Sequence, residues 1–434
     1  MSGDVEEGRN LLLEGVAFPN VRAAREKFSG WLEDKLLARL KTYGDFEKLK
    51  PVLLGSWSRH ELTPKSDIDL LFTGEEADVG AFTGRAFKDG VKLRGRTPKD
   101  PKDWSVGVEP FDLLALHQAR PLSENPELES QRHHAVKRKR EILKAMKRER
   151  EERRKRQDSI SNYLEPNLKY GAGGLRDIEQ ALALRRLAPE PFKAADDYAF
   201  KVLEQIKEEL LFIRSWLHLN GSSDVLSAHD QIALAKDLGF ESAGVLMKFV
   251  QSELERASFY ADWVVAYHQA GPKARRAATE NLSDPAVALK KLRDDPSLLR
   301  QFEARRHVDE WGRALSAAER GKLLHTAVHG DEPDAFLVAL YRTRWLEILI
   351  PDFKKLKGLV QHDHYHRFTA DAHLVQALRE VQRLKKHPAI FGIVGRLGKE
   401  LTAADWWTLK LTALFHDLAK GRKGDHSSEG AKLV

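Results

Sequence analysis

Apolar residues recur at helical spacing over residues 19–43, where Val21, Phe28, Trp31, Leu36, Leu37 and Leu40 predict an amphipathic helix. From 50 to 118 the pattern shortens. "PVLLGS", "SDIDLLF" and "VGVEPFDLLAL" are short apolar runs bounded by Gly, Pro, Ser and Lys, and they predict strands. "GRAFKDGVKLRGRTPKDPKD", between the second and third runs, reads as a helix followed by a loop. Residues 131–158 contain no glycine or proline and predict one long exposed helix. Its Glu141, Glu149, Glu151 and Glu152 interleave with basic residues as i,i+4 partners. That favours a solvated face over a nucleic-acid surface, although lysine and arginine in such density also suit phosphates. From 175 to about 350 nearly every segment has helical periodicity, broken by turn signals such as "LNGSSD" and "LSDPA". "HLVQALREVQRLKK" and "DWWTLKLTALFHDLAK" continue the helical pattern, with Trp406 and Trp407 expected to fill a core. No fixed-period repeat is visible.

These elements predict an α+β fold. The expected organisation is an N-terminal helical segment (1–45), a strand-bearing domain (46–130), a helical region (131–355) and a final helical domain (356–434). Of the 434 residues, 42% are apolar and 32% charged, with both signs mixed, which suits folded cores rather than disorder. The chain has no cysteine, which excludes disulfides, thiolate zinc sites and a cysteine nucleophile. A net charge of +7 favours anionic partners without choosing among nucleotides, acidic proteins and nucleic acid. The acidic start "MSGDVEEGRN" is not a secretory leader, and no apolar run reaches 18 residues. No membrane association and a cytoplasmic location are therefore expected.

Chemistry enters at Gly55 to Phe72, "GSWSRHELTPKSDIDLLF". Residues two apart on a strand share a face, about 6.7 Å apart. Asp67 and Asp69 would then point together while Ile68 points into a core. Two carboxylates at that range repel by about 2.5 kcal/mol at an effective dielectric of about 20. A bound Mg²⁺ reverses the sign, since hard cations take carboxylate oxygens and share them with substrate phosphates. Upstream, a glycine-serine turn at Gly55 and Ser56 lets backbone N–H groups approach a triphosphate. Arg59 and Lys65 are near enough in sequence to hold phosphate oxygens. A third acid would complete a two-metal clamp. Glu109 and Asp112 on the next predicted strand are both candidates, and they face opposite sides, so only one of them can serve. "GAGG", Gly171 to Gly174, lacks the spacing of a dinucleotide fingerprint. It predicts a tight connection bordering the nucleotide cleft, oriented by Arg176 and Asp177, or a packing element.

The pattern Arg-x-Glu-Leu-x-Pro-x-Ser-Asp-Ile-Asp-Leu-Leu, carried by Arg59, Glu61, Leu62, Pro64, Ser66, Asp67, Ile68, Asp69, Leu70 and Leu71, resembles the nucleotidyltransferase motif of the DNA polymerase β-like superfamily. In particular it resembles the bacterial PII uridylyltransferase/uridylyl-removing enzymes. "EPNLKYGAGGLRDIEQ", Glu165 to Gln180, is similar to a second signature of that family, and both segments are loosely shared with glutamine synthetase adenylyltransferases. "QHDHYHRFTADAH", with His362, His364, His366 and His373, is followed 43 residues after His373 by His416-Asp417 and then by His426. This resembles the HD-type phosphohydrolase domain of the same family, which the adenylyltransferases lack.

The resemblance implies a polymerase β-like nucleotidyltransferase domain over 46–130 and a partial all-α HD domain over 356–434. It implies Mg²⁺-dependent transfer of UMP from UTP to a tyrosine of a PII-type signal protein. It also implies a divalent ion, Mn²⁺ or Mg²⁺, held by His373, His416, Asp417 and His426, which removes the modification. Imidazole and carboxylate ligands suit such an ion, and the ion lowers the pKa of a bound water. Lys420 would neutralise a phosphate oxygen. The chain departs from the family in three respects. A further HD aspartate and the glutamine-sensing ACT domains are expected to be missing, and Ser58 and His60 stand where the family more often has glycine. Two rival readings are a CCA-adding type of tRNA nucleotidyltransferase, whose Arg-Arg-Asp-Phe segment is not found, and a non-catalytic nucleotide sensor.

Overall fold

The computed structural model describes residues 2–74, 76–91, 93–96, 110–156, 163–193, 197–277, 283–359 and 368–420. Most of these residues are helical, with one small sheet, so the fold is α+β. The four strands are β1 (Pro51–Leu53), β2 (Ile68–Phe72), β3 (Leu93–Arg96) and β4 (Arg120–Pro121), ordered β3-β2-β1-β4. β1 runs antiparallel to β2 and β4, with Leu53 opposite Leu70, and β3 pairs parallel to β2.

Period-2 alternation gives the sheet two apolar faces. Leu53, Leu70 and Phe72 pack on Phe82 and Ala86 of the helix Glu76–Lys88 and on Leu40 of the helix Arg22–Lys41. Val52 and Leu71 face the other way, into a core shared with Leu113 and Leu116. Asp69 lies on this second side by alternation, while Ile68 packs with the first, as the pattern predicts.

Three predicted elements differ. The run containing Pro110 was expected to be a strand, but Pro110–His117 is a helix. Proline at a first helical position has its φ already set, and Leu113 and Leu116, three apart, share one buried face. The strand geometry that set Glu109 against Asp112 therefore does not hold. Conversely, the expected loop after Lys88 contains β3. Its "LRGR" carries little apolar signal, and the parallel pairing with β2 supplies the order.

The expected long helix over 131–158 is two helices, Pro126–Lys137 and Lys139–Arg156, and it is not simply exposed. Ile142 and Met146 enter the large core, and Arg150 and Arg153 are buried as well. That core runs from Leu12 to Tyr267 and is dominated by the helices Leu175–Leu187, Tyr198–Leu219 and Ala243–Gln269. A second core collects apolar side chains from Ala288 to Leu418, including Trp311, Trp345, Leu374 and Leu414. Trp406 is buried beside Gly398, and Trp407 packs against this second core. No described helix is long and apolar enough to cross a membrane.

Candidate active site and metal centre

Gly55 follows β1 at the start of the short helix Gly55–Ser58, with φ +58°. Glycine adopts this left-handed geometry without strain, and a Cβ here would stand 3.0 Å from Asp69 Oδ2. The backbone turn thus lies directly against the Asp69 carboxylate. Gly55, Ser56, Ser66, Asp67 and Asp69 line one cavity of ≈ 230 Å³. An adjoining cavity of ≈ 280 Å³ shares Gly55, Arg59, Glu61, Asp69, Arg176 and Glu179 with it, so the two are lobes of one cleft.

The far walls come from the helical region. Lys169, Arg176, Arg186, Lys207 and Arg214 all reach the cleft. Of these, the sequence singles out only Arg176; Lys169 lies in the same segment, Glu165 to Gln180, without being marked by it, and Arg186, Lys207 and Arg214 lie outside any recognisable motif. Burial and the adjacent Arg59 charge pull Arg186 down from the ordinary guanidinium value, a sign of excess positive potential. Glu61 and Glu179 answer part of it. Arg59 donates Nε to Glu61 at 2.6 Å and Nη2 to Glu179 at 3.0 Å, and Lys207 Nζ reaches Glu61 at 2.9 Å. Burial would raise the Glu61 pKa, but the Arg59 and Lys207 charges outweigh it and hold it low.

Leu114, Ala115 and Gln118 extend the wall from the Pro110 helix and the residues after it. Asp112 belongs to the first turn of that helix, and Glu109 lies outside the described residues. Lys65 is placed elsewhere: its ammonium bonds the carbonyls of Gly221 and Ser222, the latter at 3.0 Å, and it is not among the residues lining the cleft. The glycine-like positions of the loop also have an account. His60 has φ +58°, a conformation that favours glycine, and its carbonyl accepts from Arg25 and Ser29 while its Nδ1 sits 3.0 Å from Glu33. Ser58 Oγ donates to the Gly55 carbonyl at 2.9 Å.

The "GAGG" segment borders the cleft through the helix it starts, Leu175–Leu187. Gly173, at φ +76°, passes so close to the helix Ala243–Gln269 that a Cβ would fall 1.8 Å from the Leu254 carbonyl oxygen. Asp177 accepts from the Gly173 N–H and from Arg153 and Arg154, each of the latter at 2.7 Å. Its pKa is low because the charges of Arg150, Arg154 and Arg153 outweigh the burial that would raise it.

The second cluster stands about the end of the helix Ala403–Phe415, which opens with a Thr402/Asp405 capping box. His416 caps its C-terminus and faces His373 on the helix Ala370–Lys386. The two Nε2 atoms are 3.2 Å apart, and Asp417 Oδ2 lies 3.4 Å from His416 and 3.8 Å from His373. Ligand bonds of about 2.1 Å place neighbouring donors about 3.0–3.4 Å apart; His416 meets this with both partners, and with the wider 3.8 Å gap between His373 and Asp417 the trio can still hold a divalent ion. His416 Nδ1 sits 3.1 Å from the Ala413 carbonyl, which can only accept. Nδ1 therefore carries the proton and Nε2 offers its lone pair inward. Lys420 Nζ holds Asp417 Oδ2 at 2.6 Å. Beneath, Asp371 is buried with Tyr341 donating at 2.9 Å, and burial raises its pKa. His362, His364, His366 and His426 lie outside the described residues.

A family model described as GlnD PII-uridylyltransferase matches residues 141–259, the helical walls of the cleft. A bifunctional uridylyltransferase/uridylyl-removing enzyme of Xanthomonas campestris pv. campestris (strain B100) is 28% identical over 87% of this chain and 50% of its own length. One from Nitrosococcus oceani is 25% identical over 99% of this chain and 57% of that protein, and one from Hydrogenovibrio crunogenus 26% identical over 96% and 54%. The chain spans about half the length of the curated relatives it matches.

Proposed function

We propose that this chain, a relative of the bifunctional uridylyltransferase/uridylyl-removing enzymes, transfers UMP from UTP to a tyrosine of a PII-type signal protein and releases pyrophosphate. The observation that carries the reading is the placement of Asp67 and Asp69 on one cleft, against the Gly55 turn and opposite a wall of arginines and lysines. Asp67 and Asp69 would hold Mg²⁺, with Asp112 or Glu109 as the third acid. The ion, when bound, neutralises the phosphates and activates the attacking oxygen. Gly55 and Ser56 hold the triphosphate from the backbone side. Arg176, Arg186 and Lys169 face it from the helical wall and screen the charge that develops on the leaving pyrophosphate. Arg59 acts through Glu61 and Glu179, fixing the wall rather than spending its whole fork on phosphate.

Labelled UTP, Mg²⁺ and a PII-type protein test this directly. Asp69→Asn should lower transfer by at least about 100-fold, the scale of losing one preorganised electrostatic contact. Undiminished labelling in that variant would end the proposal, and equal labelling from ATP would redirect its substrate.

For the second cluster, we infer a divalent ion, Mn²⁺ or Mg²⁺, held by His373, His416 and Asp417, with His426 as a further ligand, serving hydrolysis of the same modification. Titration with Mn²⁺ should show His416→Ala binding at least about tenfold more weakly than the unaltered chain. Equal affinity would remove the assignment.

A further inference from the structure

A third cleft lies away from both clusters, among the helices Leu298–Ala314, Ala317–Val328 and Trp345–Leu349. Its cavity of ≈ 350 Å³ falls within the range of about 300–1,000 Å³ usual for small-molecule sites. Among the described residues four cations line it, Arg313, Arg320, Arg344 and Lys354, against one carboxylate, Glu347. That carboxylate is already shared: Arg344 Nη2 holds it at 2.9 Å and Lys357 Nζ at 3.2 Å. Among the described residues the charge lining the cavity is therefore positive in excess.

The Arg320 side chain adds an independent sign. Its Nη2 donates to the Gly312 carbonyl at 2.8 Å, but its Nε is buried with no partner among the described residues. An orphaned guanidinium donor at a cavity edge is costly unless something accepts from it. Arginine forks match planar or tetrahedral oxyanions, and a cleft with low-dielectric walls concentrates the field. Val308, Ile348 and Pro351 give the remaining wall an apolar surface. We propose that this cleft binds a small organic anion carrying two or more negative charges, with its carbon body against the apolar wall and its oxyanions on Arg313, Arg320 and Lys354. The proposal does not depend on the nucleotidyl-transfer reading.

Isothermal titration of the whole chain with citrate, and separately with inorganic phosphate, tests it. Citrate should bind once per chain at this cleft and weaken as salt rises. The double variant R313Q/R320Q should lose at least tenfold in affinity, and Lys354→Ala two- to fivefold. Arg138→Gln, which alters an exposed pair with Glu141, should leave binding unchanged. Phosphate binding more tightly than citrate would assign the site to an inorganic ion and overturn the organic ligand. No citrate binding, unchanged affinity in Lys354→Ala, or binding abolished by Arg176→Gln in the nucleotide cleft instead would overturn the site itself. Lys354 is exposed, so its variant decides the matter even where R313Q/R320Q fails to fold.

Discussion

Two residues with left-handed backbone bracket the turn after β1, Gly55 at φ +58° and His60 at φ +58°. At Gly55 the constraint is double, since a side chain meets both the backbone preference and Asp69 Oδ2 at 3.0 Å. Gly55→Ala should therefore cost about 1–2 kcal/mol in urea denaturation. It should reduce UMP transfer beyond what that loss explains, because the added methyl shifts a carboxylate proposed to hold Mg²⁺. A variant with unaltered transfer would mean that the turn and Asp69 do not act together. At His60 the strain is met differently, by two side-chain donors on its carbonyl. Asp69 on the strand and the glycine turn were legible in the sequence because strand alternation and glycine's backbone freedom are local, whereas Asp67 precedes the strand and meets Asp69 only in the shared cavity. Lys65 was not, because its ammonium is drawn to helix-end carbonyls more than 150 residues away in the chain.

Among elements, the basic helix Lys139–Arg156 shows how a local pattern misleads. Its composition reads as a solvated face, yet Arg150 and Arg153 are buried with Asp177, and Arg150 and Arg154 also reach Asp262. The partners lie 23 to 112 residues downstream, so no i,i+4 rule finds them. This network anchors the helix that carries Arg176 and Glu179 into the cleft. Asp177→Asn leaves buried guanidinium charge unanswered and should destabilise the fold by about 3–5 kcal/mol by chemical denaturation. The folded-state pKa of Asp177 is depressed, so its contribution is complete above the unfolded value near 3.9 and fades as pH falls below it. The variant and the unaltered chain should thus converge in stability in strong acid. A cost under about 1 kcal/mol at neutral pH would show that the network is not structural.

Across the whole molecule, the seam between the two cores combines aromatic packing, with Phe302 stacked on Trp263 at 4.7 Å, and buried ion pairs. Glu255 of the helix Ala243–Gln269 takes Arg305 at 3.0 Å and Lys357 at 2.9 Å from the second core. Asp262 takes Arg342 at 2.6 Å. Burial would raise the Glu255 pKa, but the Lys357 and Arg305 charges bring it down to about 2. An acid with a depressed folded pKa stabilises above its unfolded value, near 4.5, and loses that contribution as pH falls toward 2. The size is about 3–4 kcal/mol, taking about 1.4 kcal/mol per pKa unit. Calorimetry should show Glu255→Gln lowering the melting temperature at pH 7 and separating the transition into two. One unshifted transition would show that the seam is held by other contacts.

The sequence by itself determined the strand Ile68–Phe72 with Asp69 on it, the glycine turn beside it and the helical remainder, because each rests on local periodicity or short spacing; Asp67 was expected on that strand and instead precedes it. Tertiary structure alone decided that "LRGR" pairs as a strand, and which arginines face the cleft and which are buried against aspartates. Those outcomes depend on partners far along the chain, and the free energy of pairing a charge or a strand edge comes from groups that no local window contains.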